Sequence, residues 1–173
     1  MSDPDYPVTL SLRGRRVLVV GGGAVAARRT AGLLVAGGLV EVIAPDAVSE
    51  IARLAAAGSV TWHRRSWSPS DLMEPSPAWF VHAATSDPAV NGIVAAQAEA
   101  ERVWCVRADD ARSTAAWTPA ITRGEIGTAA AGITIAVTAG GDPGRACAVR
   151  NAVKAGLADG TLPVARTRIR LAS

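Results

Sequence analysis

The chain has 173 residues, 49% of them hydrophobic and 19% charged, with a formal net charge of +3. That length suits one main domain with its own core, and no apolar run reaches the roughly 18–20 residues that cross a bilayer, so a soluble protein with no membrane partner is expected. All but one of the 18 basic residues are arginine, Lys154 being the exception, but they are scattered and accompany no basic helix or zinc-finger spacing, which argues against nucleic acid as a partner.

Residues 1–10 are acidic and proline-containing and lack the basic start and apolar stretch of a secretory signal, so a cytoplasmic location is expected. Residues 15–20 are a short β-branched run that enters three glycines and predict a first strand. Good helix formers over 24–36, stopped by Gly37 and Gly38, predict the first helix. A second strand over 39–43 precedes a helix expected over 46–57. Strands over 60–63 and 79–84 flank a Ser/Pro-rich connection with a short turn at 71–73. Asp87 and Pro88 then cap a helix running to Arg102, and residues 103–106 form the next strand.

Strands alternating with helices of this length imply a parallel sheet covered on both faces, the Rossmann-like doubly wound α/β architecture. The alternation stops after Ala108. Strands over 117–121 and 132–137 and a helix over 145–158 follow without crossover helices. The expected organisation is therefore a dinucleotide-binding domain over 1–110, a smaller α+β element over 111–160 and a tail over 161–173.

Gly21-Gly22-Gly23-Ala24-Val25-Ala26 fits a dinucleotide fingerprint, with a strand before it and a helix after it. Gly21 suits the tight turn, Gly23 admits a pyrophosphate, and the small Ala26 permits close helix–strand packing. Backbone N–H groups at the helix start and the positive end of its dipole would meet the phosphates. Asp46, about twenty residues on, is the candidate for the adenosine ribose, and no arginine directly follows the second strand to take a 2′-phosphate, so NAD is favoured over NADP.

Asp109 and Asp110 follow the 103–106 strand at the carboxyl edge of the sheet, where open α/β folds bind ligands and a carboxylate can act as general base. The bland alternative is a turn or a cap for Ser113 and Thr114. His82 lies in an apolar strand and is expected to be a packed residue, with His63 on the surface. Cys105 and Cys147 lack metal or disulfide spacing and are expected to be buried free thiols, and no protein metal ligands are expected.

Several segments together resemble the siroheme synthase N-terminal domain family, which acts as precorrin-2 dehydrogenase and sirohydrochlorin ferrochelatase. They are residues 12–29 around the glycine turn, Ala83-Ala84-Thr85-Ser86-Asp87-Pro88-Ala89-Val90-Asn91, Cys105-Val106-Arg107-Ala108-Asp109, Thr118-Pro119-Ala120 and Ile135-Ala136-Val137-Thr138-Ala139-Gly140-Gly141. The resemblance implies NAD-dependent oxidation of precorrin-2 to sirohydrochlorin, and some members then insert ferrous iron as a second substrate. It implies Asp109 as the catalytic carboxylate, Ala24 and Val25 at the phosphate turn, Pro45 and Asp46 after the second strand, Thr85 beside the cofactor, and Gly140 and Gly141 edging the tetrapyrrole pocket. It also implies a homodimer built through the segment after the dinucleotide domain. The substrate's eight carboxylates give the arginines a use, with Arg107 and Arg145 as candidates.

The family's usual Asn-Val-Val-Asp reads Val106-Arg107-Ala108-Asp109 here, Ala139 stands where a serine is common, and one residue is missing near Asp142 and Pro143. Two other readings follow: a dehydrogenase without chelatase activity, and a non-catalytic NAD-sensing module on the same fold.

Overall fold

The computed structural model describes residues 6–110 and 113–164. The chain divides into two compact units, Val8–Trp117 and a second one built from Thr118 onward. The part of the tail beyond residue 164, and residues 111–112 at the expected domain junction, lie outside the described residues.

In the first unit the β-branched runs pair as strands β1 (Arg16–Val20), β2 (Leu39–Ile43), β3 (Thr61–His63), β4 (Phe80–Ala83) and β5 (Trp104–Arg107). Every pairing is parallel and the strand order is β3-β2-β1-β4-β5. The crossovers carry helices α1 (Ala24–Val35), α2 (Ser49–Ala56) and α3 (Pro88–Ala100).

Period-two alternation gives the sheet two apolar faces. Val17, Val19, Val40 and Val42 pack with Ala26 and Leu33 of α1 and Ile51 of α2. Leu18, Val20, Val81 and Cys105 pack with Val94, Ala95 and Ala98 of α3. Strand order reverses between β1 and β4, and such a switch point opens a crevice at the carboxyl ends of the strands. The Rossmann-like α/β fold expected from the sequence is the fold observed.

Several details differ from expectation. Helix α2 begins at Ser49 rather than Asp46, because Val48 N–H donates to the Gly22 carbonyl (2.8 Å) and holds 46–48 as a loop against the glycine turn. Strand β5 extends to Arg107, which pairs in register with Ala83. His63 is half-buried, with Nε2 3.0 Å from Glu41 Oε2, and Glu41 also receives Arg16 Nε at 2.7 Å. Burial alone would raise the Glu41 carboxyl, but the bonds from Arg16 and His63 hold it below the ordinary range. Cys105 is buried, and burial pushes its thiol up to about 11, whereas Cys147 is exposed.

His82 sits in the middle of the sheet between Val19 and Val106, 2% exposed and edge-on to Phe80 with centroids 4.9 Å apart. Its Nδ1 has no hydrogen-bond partner among the described residues. Burial, helped by the nearby Arg29 charge, lowers its pKa to about 3, so the ring is neutral. An unfolded histidine takes its proton near 6.5, so from there down to about 3 the unfolded chain holds the extra proton and acid favours unfolding. The stability present above pH 6.5 is lost at about 1.4 kcal/mol per pH unit across that window. His82→Leu is expected to flatten this slope, leaving the variant about 3 kcal/mol more stable than wild type at pH 4 relative to their difference at pH 7.5. Urea unfolding at the two pH values measures it, and equal slopes would show that His82 does not carry the acid sensitivity.

In the second unit, β6 (Ala120–Arg123) and β7 (Thr134–Val137) form an antiparallel pair packed by α4 (Pro143–Ala158). Strand β6 starts three residues later than expected, beyond Pro119, which has no N–H for a ladder. Helix α4 starts at Pro143, with the Asp142 carboxylate accepting from Arg145 N–H at 2.9 Å.

Candidate dinucleotide site and the Asp109 edge

Two glycines between β1 and α1 are dictated by crowding. Gly21 adopts φ +125, and a Cβ there would overlap the Ala84 carbonyl oxygen and lie 2.9 Å from Thr85 N. Gly22 has no such φ, yet its Cβ would overlap the Asp46 carbonyl oxygen and lie 2.9 Å from Ala47 Cα. The turn thus threads between the loop after β2 and the loop after β4. The fingerprint made the tight turn at Gly21 visible, but the need for Gly22 depends on a loop distant in sequence and was missed.

Gly23 is different, because a Cβ built on it meets nothing within 4 Å. It is the N-cap of α1, no side chain caps that helix, and its first turn holds no acidic residue. The first N–H groups of a helix have no intrahelical partners, so the amides after Gly23 face open space at the positive end of the dipole. Ala24 and Val25 are exposed there, while Ala26 is fully buried against the sheet. Uncapped donors, an open approach and no competing carboxylate fit the diphosphate of a dinucleotide.

Pro45 and Asp46 lie in the exposed β2–α2 loop pinned on Gly22. The Asp46 side chain makes no ion pair among the described residues.

The loop after β4 is locked by Asn91, which is fully buried. Its Oδ1 accepts from Thr85 N (3.0 Å) and Thr85 Oγ1 (2.8 Å), and its Nδ2 donates to Thr85 O (3.2 Å). The Asn91 amide also helps hold the Asp109 carboxyl below its ordinary range. One buried amide therefore locks the segment against Gly21, a role the sequence did not announce.

Asp109 is gripped from its own strand. Arg107 Nε and Nη2 donate to its two carboxylate oxygens at 3.1 and 2.7 Å. That fork, helped by the Asn91 amide, lowers the Asp109 pKa to about 2, keeping it ionised at any pH where the protein is used. Further on, the Asp110 carbonyl accepts from Ser113 Oγ at 3.0 Å.

Gly21, Gly22, Asp46, Ala84 and Thr85 thus meet at the end of β1, and Asp109 follows β5 at the same carboxyl edge of the sheet. Gly140 and Gly141, with φ +62 and +84, form the turn before α4 and belong to the second unit, as does Arg145. No group of three or more metal-ligating side chains occurs among the described residues, and no helix among them is long and apolar enough to cross a membrane.

Comparison with known proteins agrees with this geometry. The model of an NAD(P)-binding family matches residues 8–120. The siroheme synthase of Xylella fastidiosa (strain M12) is 38% identical over 116 residues, which are 67% of this chain and 24% of that protein. The precorrin-2 dehydrogenase of Priestia megaterium is 42% identical over 89 residues, 51% of this chain and 43% of that protein. The solved structure of SirC, a precorrin-2 dehydrogenase, superposes with a TM-score of 0.73 and 28% identity over 87% of this chain and 70% of its own. The chain therefore spans less than half the length of these two sequence relatives. With a parallel sheet, an uncapped glycine turn and this set of relatives, the chain belongs to the siroheme synthase N-terminal domain family of NAD(P)-binding proteins.

Proposed function

We propose that the protein is an NAD-dependent precorrin-2 dehydrogenase acting in the cytoplasm, with sirohydrochlorin as its product. One observation carries the reading: an ionised carboxylate, Asp109, follows β5 at the same carboxyl edge of the sheet as the glycine turn and the loop that abuts it.

The turn at Gly21 and Gly23, with the amides of Ala24 and Val25, would hold the diphosphate. Pro45 and Asp46 would face the adenosine ribose, where the Asp46 carboxylate suits a free 2′-hydroxyl better than a phosphate and favours NAD over NADP. Thr85, fixed by Asn91, would shape the wall beside the nicotinamide. Bound NAD supplies a hydride acceptor. The remaining hydrogen leaves the macrocycle as a proton, and Asp109 is the residue placed to receive it. Gly140 and Gly141 are assigned to the tetrapyrrole on the family resemblance.

The test is anaerobic mixing of purified protein with precorrin-2 and NAD, following NADH and the sirohydrochlorin spectrum, then adding ferrous iron to look for the chelation step. NAD-dependent sirohydrochlorin formation is the expected result. NAD binding without turnover of competent substrate would overturn the reading in favour of a sensor.

The second unit also bears on assembly. A two-stranded sheet and one helix bury little, with only Ala146 and Gly156 of α4 buried while Val149 is 44% exposed and Ile126 fully so. Such a unit suits completion by a second copy, and sedimentation is expected to give twice the 17.7 kDa chain mass. A monomer at micromolar concentration would remove the dimer from the reading.

A further inference from the structure

Arg107 stands where the family's usual run has a hydrophobic residue, and it determines the state of Asp109. Its guanidinium forks onto both Asp109 oxygens at 3.1 and 2.7 Å, and Nη2 also lies 3.5 Å from the Pro88 carbonyl at the start of α3. The side chain rests over Gly92, whose missing Cβ would be 3.7 Å from Nη1. Beside it a cavity of about 470 Å³ runs along the outer edge of β5, bordered by Gly92, Cys105, Ser113 and Thr114. The guanidinium has room to move, and Nη1 meets no acceptor among the described residues.

This arrangement conflicts with a simple proton acceptor. A carboxylate held in a bidentate arginine fork is a feeble base, because protonating it forfeits the fork. The proposed substrate, however, brings eight carboxylates, each able to accept the same fork. Exchanging one arginine–carboxylate pair for another costs little where the pair is partly exposed, as this one is, with 14% and 27% of the two side chains accessible.

We propose that Arg107 is a substrate-receiving residue that holds Asp109 in reserve: an incoming tetrapyrrole carboxylate draws the guanidinium away, and the released Asp109 then takes the proton the macrocycle loses. The inference rests on the dehydrogenase reading above. In the step, an O–H bond forms on Asp109 as a macrocycle C–H or N–H bond breaks, and that bond's electron pair stays in the ring system as part of the new conjugation. A second hydrogen departs as hydride to NAD, so two electrons leave with it and the balance is one hydride and one proton. Among the described residues, the other charged or titratable groups facing the pair are Asp110 and Cys105, and α3 contributes the neutral amide of Asn91. With Arg107 drawn off, Asp109 is left beside a polyanionic substrate, whose charge favours taking up a proton.

The experiment compares wild type, Arg107→Met and Arg107→Lys in NAD-dependent precorrin-2 oxidation at pH 7.5. It adds fluorescence titration with uroporphyrin, an octacarboxylate tetrapyrrole that is not oxidised in this step. Arg107→Met is expected to lower kcat/KM about tenfold, almost wholly through KM, and to raise the uroporphyrin Kd about tenfold. Arg107→Lys, which keeps the charge but not the fork, is expected to recover part of both. If Arg107 instead stays on Asp109 and merely orients it, Arg107→Met lowers kcat with KM and uroporphyrin Kd unchanged, and that result overturns the proposal alone. A wild-type protein that neither oxidises precorrin-2 nor binds uroporphyrin overturns the dehydrogenase reading and this inference together.

Discussion

Asp109→Asn is expected to lower kcat for precorrin-2 oxidation by about 10²–10⁴-fold, the range typical of a lost general base, while NAD binds with its affinity within about twofold. The substitution preserves shape, so a loss of that size reports the charge rather than the packing. NAD affinity is expected to survive because the diphosphate contacts proposed at Gly23, Ala24 and Val25 are backbone amides on the far side of Asn91. No pH adjustment should rescue the variant. The wild-type carboxyl, held near 2 by Arg107, is already fully ionised across the working range. Its contribution to folding, present above the ordinary aspartate range, is lost only as pH falls through about 2. A variant with a few-fold loss of kcat would reduce Asp109 to an anchor for Arg107, and a variant that failed to bind NAD would show that the carboxylate supports the dinucleotide site itself.

The first two strands were legible because they are short apolar runs stopped by Gly21 and Pro45, and such runs report burial whatever the tertiary detail. The glycine turn and the carboxyl edge were legible for the same reason, since a strand–turn–helix order fixes which end of the sheet each loop occupies. Whatever depended on loops meeting across the crevice was hidden. Gly22 looks like a spare member of a triplet until the Asp46 carbonyl is seen where its side chain would be. Asn91 looks like an ordinary polar residue in the first turns of α3, and its value lies in bonds to Thr85 that only the folded chain brings within reach. The start of α2 slipped because Val48 N–H is claimed by Gly22, a partner 26 positions away in sequence that no local propensity encodes. Arg107 was visible as a departure from the family pattern, but its grip on Asp109 needed the path of the chain as β5 ends.

The glycine triplet offers the sharpest separation between fold and binding. Gly22→Ala is expected to cost about 3 kcal/mol or to leave the protein insoluble, because the new methyl meets backbone atoms of Asp46 and Ala47 that cannot rotate away. Gly23→Ala should fold with stability within about 0.5 kcal/mol of wild type, since its φ of −81 is ordinary and its Cβ enters open space. That same open space is where the diphosphate is proposed to lie, so Gly23→Ala is expected to weaken NAD at least tenfold by equilibrium titration. The two substitutions add the same methyl one residue apart, and they differ only in what it meets: protein in one case, ligand in the other. If Gly23→Ala binds NAD as wild type does, the diphosphate does not approach α1 through this turn, and the dinucleotide assignment of the amides at Ala24 and Val25 fails with it.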